Sequence, residues 1–508
     1  MTSSVQPPSL ALAKLHASNA SPSAIEKTTC CSELIAIESR IATLEHNITE
    51  SLKGIDVMQE EQSRLTDYAR IYQNILHPIR SLPADVLREI FLVCLECKGS
   101  DIMNPALDIP KNVLDPRLPP WNLSQVCRAW RRITLETPLL WTVLRLAITK
   151  TGSSKRRSSA ARLLTTFLSR SRNLPLSVDL SSSQPVGSDN LLLFTLCSHS
   201  YRWERLRVTF VPMTGDLVEG MTSLVKSEVP ILHSLYFDVQ ASFGRQRIVD
   251  AFEDAPNLRN ITVPGLSPSL LANIRVPWPQ LTQFHRLAIP FRVSTTHCDH
   301  LSRMPDLLVY TDKDFVCPPG PAIHLPHLEE LNITLSLSNP TTAPVAMNRL
   351  QMGEKFTELR VYLTCPDDKE SLTQFLFRWG GNLRSLSLRG PAFTDSEIVE
   401  MLGHLKALEH LSLYTMTPQA ELLKALGEQT QGQWFLPRLQ HLSFFGHPRF
   451  RQGMIVEMLN ARLGSSNRLL DIGLPVSEQL FVEDAEALRA QGIKIWYTRP
   501  EWWIAIRH

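Results

Sequence analysis

Apolar residues along this chain follow three successive patterns, and each predicts a different kind of element. From Ile37 to Leu76 they step alternately by four and three, through Ile41, Leu44, Ile48, Ser51, Ile55, Met58, Gln62, Leu65, Ala69 and Tyr72. Nine of these twelve positions are apolar or aromatic, with Ala69 left out of that count. Such spacing is the a/d seam of a heptad repeat and predicts a long helix over 31–77. Ser51, Gln62 and Gly54 weaken its middle, while Glu45, Glu50, Glu60, Glu61 and Asp67 keep its other faces soluble. Two readings follow: a coiled coil that pairs two copies through 37–76, or a single helix that folds back on its own chain or stands alone. Pro78 ends it, since proline cannot continue the backbone ladder.

A second pattern occupies 78–148. Residues 82–91 read LPADVLREIF. Ser81 can cap a helix that Leu82 and Pro83 open, and Asp85 suits the positive end of its dipole. Val86, Leu87, Ile90, Phe91 and Cys94 then recur at helical spacing. Residues 124–132 read SQVCRAWRR; here Leu123, Val126, Cys127 and Trp130 repeat at three and four, with Arg128, Arg131 and Arg132 opposite. Pro138 closes that helix, and Leu139, Leu140, Trp141 and Leu144 begin another apolar patch. An insert rich in Pro and Asp, 98–120, separates the two segments. So small a module cannot hide this many large apolar groups internally, and the excess asks for a partner. Residues 149–160, TKTGSSKRRSSA, read as a solvated basic linker.

From 161 onward an apolar-x-x-apolar-x-apolar unit recurs. It appears as Trp203-Leu206-Val208, Leu232-Leu235-Phe237, Leu258-Ile261-Val263, Leu328-Leu331-Ile333, Phe356-Leu359-Val361, Leu383-Leu386-Leu388, Leu408-Leu411-Leu413, Leu439-Leu442-Phe444 and Leu469-Ile472-Leu474. Clear neighbours lie 25 to 31 residues apart. Leu176, Val178 and Leu180 look like a first strand. Between Leu258 and Leu328 the signal blurs, with Leu281-Phe284 and Leu307-Val309 keeping approximate time. This is the spacing of leucine-rich repeats: a short strand per unit and a helical or irregular return, none able to bury its leucines alone. Nine or ten degenerate repeats are expected over 161–508, a right-handed α/β horseshoe. Trp502 and Trp503 near the end are placed to cap the last unit.

The remaining composition narrows the function. The 508 residues carry 52 basic and 50 acidic side chains, a net charge of +2, which points to neither nucleic acid nor an anionic membrane as main partner. No apolar run is long enough to span a bilayer, and residues 1–30 read as a disordered tail rather than a secretory signal. Nine irregularly spaced cysteines fit reduced thiols of a cytoplasmic or nuclear protein rather than a disulfide framework. Cys94 and Cys97 have no second pair at zinc-finger spacing, and His297, Cys298 and His300, with His324 and His327 later, read as solvated loop before they read as zinc ligands. There is no phosphate-binding glycine loop, no nucleophile elbow and no H-E-x-x-H. No catalytic group, cofactor or metal is expected.

The two helical motifs together resemble the F-box, in the form found in large families of mushroom-forming fungi. The matching residues are Leu82, Pro83, Asp85, Leu87, Ile90 and Phe91, then Val126, Cys127, Arg128 and Trp130. The chain departs from the compact form in its 98–120 insert. The resemblance implies a non-catalytic substrate-recognition subunit of a ubiquitin ligase. Leu82, Pro83, Leu87, Ile90, Phe91, Val126 and Trp130 would bind a Skp-type adaptor and, through it, a cullin. The repeats would hold a protein substrate on their strands, where Arg384, Ser387, Glu409 and Ser412 are the variable positions. A scaffold outside any ligase, built on the same helix and repeats, is the alternative.

Overall fold

The computed structural model describes residues 21–96, 112–148, 154–182, 191–210, 215–239, 248–264, 271, 273–287, 298–335, 347–363, 369–390, 393–415, 420–430, 432–446, 452–463, 469–475 and 482–498. The chain divides into two units, 1–86 and 87–508.

The first unit is dominated by one helix, Ala24–Ile75, of 52 residues. It begins inside the stretch 1–30 that was expected to be a tail. The reason is a capping box: Ser23 Oγ accepts from the Glu26 N–H at 3.4 Å, and the Glu26 carboxylate accepts from the Ser23 N–H at 2.9 Å. The hydrogen bonds from Ser23 also hold the Glu26 carboxyl below the usual range. Residues 1–20 of that tail lie outside the described residues. No residue of the helix is buried. A short turn, Pro78–Ser81, follows, opened by His77, whose Nδ1 accepts from the Ile79 N–H at 3.2 Å.

The second unit is built on a 14-stranded sheet whose strands lie side by side in chain order. Every neighbouring pair is parallel, and the register stacks the repeat positions in columns. One column runs Leu331, Leu359, Leu386, Leu411, Leu442, Ile472 and Ile495 on successive strands. All of these side chains but the half-buried Ile495 are buried, as are the leucines that open each unit, such as Leu328, Leu383, Leu408 and Leu439. Most strand entries are tied to the unit before them by one carbonyl that accepts two successive N–H groups. Thr357 O takes Arg384 and Ser385, Arg384 O takes Glu409 and His410, and Glu409 O takes Gln440 and His441. Returns include the helices Lys369–Trp379, Asp395–Leu402, Ala420–Gly427 and Gln452–Leu463. The unit is therefore an α/β solenoid of leucine-rich-repeat type, with more strands than the nine or ten repeats expected.

Its first strand comes earlier than expected. Val143–Ile148 pairs with Leu176–Ser182 in parallel, so the tail of the 78–148 module already belongs to the sheet. The alternation of Leu144, Leu146 and Ile148, all buried, is what places it there. The expected linker is also corrected. Residues 149–153 lie outside the described residues, but 154–160 form the opening turns of a helix, Ser154–Arg170. Ala161, Leu164, Phe167 and Leu168 bury one stripe of it, which anchors the helix and lets it run back through the basic residues.

The blurred repeats have a physical cause. In the second leucine column, Val263 is followed by Arg286 and Asp312 before Ile333 restores the pattern. Arg286 Nε donates to Asp312 Oδ1 at 2.8 Å with both side chains almost fully buried. Tyr310 OH donates to Asp312 Oδ2 at 2.8 Å and lies 3.2 Å from His300 Nε2. Tyr310, not the expected Val309, stands in the first column, between Phe284 and Leu331. A paired ion and its hydrogen-bond network replace two aliphatic side chains, so the leucine count drops while the strand geometry persists.

At the far end, Trp496 on Lys494–Thr498 lies across Gly473; a Cβ there would fall 2.6 Å from the indole. Glycine is what permits that approach. Trp502 and Trp503, expected as the cap, lie outside the described residues.

Candidate functional site

The helix Ala84–Glu96 carries the Leu-Pro motif. Its apolar residues do not form the single stripe their spacing suggests. Leu87 and Phe91 are buried, Cys94 and Leu95 half-buried, and all lie four or three apart on one face. Val86, Ile90 and Val93 share a second face and are exposed. Phe91 packs on Trp130, with ring centroids 4.7 Å apart and planes at 56°. Leu87 and Phe91 were expected among the adaptor-binding residues. Here they are internal, because the helix uses one of its two apolar faces to hold its own chain. Ile90 is 37% exposed. Leu82 is half-buried and Pro83 exposed.

The Val-Cys-Arg-x-Trp segment also differs from a continuous helix. Leu123–Val126 makes one turn, Cys127 adopts an extended backbone, and Arg128–Glu136 starts afresh. Cys127 caps that second helix, its Sγ accepting from the Trp130 N–H at 3.5 Å. The break turns Leu123 inward and Val126 outward, and Val126 is 60% exposed. Trp130 is half-buried against Phe91. Ile133 and Thr134 face the interior, and Leu139 projects outward. Arg128, Arg131 and Arg132 are exposed, as their spacing implied.

Behind this surface sits an aromatic cluster only partly visible in the sequence. Trp141 is fully buried and donates from Nε1 to Thr134 O at 2.9 Å. It meets Trp121 edge-on at 5.0 Å and Phe167 at 5.4 Å. Trp121 Nε1 donates to Val113 O at 2.7 Å, and the Val113 N–H donates to Arg145 O on the first strand at 2.8 Å. Arg170 covers both indoles, at 4.9 and 4.5 Å from their centroids. Burial, reinforced by Arg131, lowers its pKa. The end of the 98–120 insert is thus the lid over the first strand; residues 98–111 lie outside the described residues. Phe167 and Arg170 had no motif to mark them. They lie 26 and 29 residues beyond Trp141 in the sequence, near the end of the helix Ser154–Arg170.

The chemical candidates resolve into structural groups. His300 is buried against Tyr310, while His324 and His327 are exposed and His297 lies outside the described residues. Among the described residues no three potential ligands gather as a metal would need. Cys298 and Cys317 do meet, Sγ to Sγ at 2.6 Å, both buried as free thiols. Arg349 reaches Cys298 Sγ at 3.5 Å and donates to Pro318 O, Pro321 O and the Asp299 carboxylate. The hydrogen bond from Cys298 to Cys317 lowers the Cys317 pKa and raises that of Cys298. Cys97 and Cys365 lie outside the described residues. Arg462 is fully buried and donates to Leu426 O at 2.7 Å; burial brings it down to about 10. Among the expected substrate-face positions, Arg384 is exposed, Glu409 and Ser412 half-buried, and Ser387 buried. No helix among the described residues is long and apolar enough to cross a membrane.

No family model matches the chain, and no curated protein matches it. Among solved structures it is similar to a leucine-rich-repeat protein of Leptospira interrogans, at 14% identity and a TM-score of 0.24, over 71% of this chain and 97% of that one. The repeat architecture rests on the strand register described above.

Proposed function

We propose that this chain is an F-box substrate receptor, a non-catalytic subunit of a Skp-cullin-type ubiquitin ligase, acting in the cytoplasm or nucleus. One observation carries the reading. The Leu-Pro helix and the Val-Cys-Arg-x-Trp segment bury one set of apolar groups and leave Ile90, Val93 and Val126 facing water, as the following turn Pro138–Trp141 leaves Leu139. Large apolar groups held outward on short, well-anchored helices are what a helical adaptor would cover. Leu82 and Pro83 precede that helix in the chain and are assigned to the same partner. The solenoid would hold a protein substrate on the sheet face away from its helices. Function would follow from proximity, by raising the effective concentration of a substrate lysine at the conjugating enzyme.

The test uses the full chain, because 112–148 pack against Phe167 and Arg170 and a fragment ending at 148 would lose its support. Purified protein is mixed with a Skp-type adaptor beside the Leu82→Ala/Pro83→Ala variant. A stoichiometric complex, lost in the variant, supports the receptor. A folded chain that forms no complex leaves the scaffold reading, which the long exposed helix favours.

A further inference from the structure

The 52-residue helix carries its seam in full view of solvent. Its apolar a/d side chains from Ile37 to Tyr72 are 40–66% exposed. A helix gains most of its stability by packing one face, not from propensity alone. Among the described residues of its own unit, none packs on the face its sequence prepares.

The chemistry of that face selects its occupant. Stepping the heptad through the helix puts Leu34, Ile41, Ile48, Ile55, Gln62 and Ala69 at a, and Cys30, Ile37, Leu44, Ser51, Met58, Leu65 and Tyr72 at d. Three consecutive isoleucines at a, with leucine at two of the d positions, is the combination that favours two parallel strands over three or four. The polar layer sets the register. In a parallel, in-register pair Gln62 meets Gln62, and each amide has a partner. Any stagger sets Gln62 against an apolar side chain and leaves an amide unsatisfied. Flanking charge agrees at the start of the seam: Arg40 at g reaches Glu45 at e of the second copy, twice by symmetry. Glu33 and Glu38 repel in the same relation, which confines the favourable region to 37–76. A 3.5-residue repeat drifts by about 20° per heptad around a straight helix, so two copies bury the seam only by winding left-handed.

We propose that the chain forms a homodimer through a parallel, in-register, two-stranded coiled coil over 37–76. Both copies then emerge from one end of the rod at Pro78. The two Leu-Pro modules are delivered together, and one assembly offers two docking modules and two solenoids. Nothing in this proposal depends on what the modules bind, so it stands or falls separately from the adaptor reading.

The experiment uses the full chain. Sedimentation equilibrium at micromolar concentration, in reductant, is expected to give twice the 57.4 kDa of one chain. Ile48→Asp/Ile55→Asp is expected to give the single-chain mass while the solenoid melts unchanged. Orientation is read by cross-linking at d positions inside the seam, with the exposed Ile37 near one end and the exposed Tyr72 near the other. In a background with Cys30, Cys31, Cys97, Cys127 and Cys365 replaced by serine, Ile37→Cys is expected to yield a disulfide-linked dimer under oxidised glutathione. Tyr72→Cys in the same background is expected to do the same at the other end. A single-chain mass for the wild type overturns the proposal. So does a dimer that survives the double aspartate variant, or one that cross-links at neither end.

Discussion

Val126 and Phe91 belong to the same motif, yet replacing them should fail in opposite ways. Val126 is 60% exposed at the end of a one-turn helix. Fully burying a valine is worth about 1.5–3 kcal/mol, so about 0.9–1.8 kcal/mol is left for a partner to gain. Val126→Asp forfeits that gain and adds an unpaired carboxylate to a dry interface. The combined loss should exceed about 2.8 kcal/mol, or about 100-fold in Kd. Chain stability should move by no more than about 0.5 kcal/mol, because the site is already wet. Phe91 is fully buried on Trp130. Phe91→Ala should cost about 3–5 kcal/mol of stability, and adaptor affinity should fall along with the fold of the module. The assay is calorimetric titration of each variant with the Skp-type adaptor, paired with thermal melts followed by near-ultraviolet dichroism. Wild-type affinity in Val126→Asp would refute the assignment of an adaptor-facing surface. A wild-type melt in Phe91→Ala would refute the division of the helix into inner and outer faces.

Arg286→Leu alone strands the Asp312 carboxylate and should cost about 3–5 kcal/mol, whereas Arg286→Leu/Asp312→Leu restores the leucine column and should be neutral or stabilising by about 1–4 kcal/mol; equal urea midpoints for the two variants would defeat this account of the blurred repeats. His410 stacks on His441 at 4.2 Å, and burial followed by His441 lowers its pKa below 6.5. The unfolded chain therefore binds the proton first, so stability should fall as pH drops from above 6.5 through the folded value. His410→Asn should flatten that part of the urea midpoint-pH curve, and an unaltered slope would remove the attribution. Cys298 and Cys317 should resist alkylation in the native chain and react once urea is added, while Cys127 labels at once; mass spectrometry of the labelled peptides reads the order, and native labelling of the buried pair would contradict their packing.

The repeat region was the most legible part. Its columns follow from a local rule, an apolar residue every second position on a strand and a recurrence 25 to 31 residues on between clear neighbours, and nine units obey it. The same rule lost time between Leu258 and Leu328, because Arg286 and Asp312 satisfy the strand with a hydrogen-bonded ion pair that no apolar pattern detects. The candidate site was legible as residues but not as surfaces. Val86, Leu87, Ile90 and Phe91 share one helical period, and nothing in their order says that Leu87 and Phe91 turn inward. The break at Cys127 was equally hidden, since the spacing from Leu123 to Trp130 also fits one helix.

The sequence by itself determined the periods: a heptad seam, two short apolar helices and a parallel ladder of strands. Periods are written locally, because helix and strand geometry set which neighbours in sequence share a face. Only the tertiary structure decided which faces were used. It drew 112–148 into the first layer of the solenoid through Trp121, Trp141 and a distant Phe167, and it carried the Ser154–Arg170 helix back through a stretch too polar to announce it. Burial is a property of what arrives from elsewhere in the chain, and no run of adjacent residues contains that information.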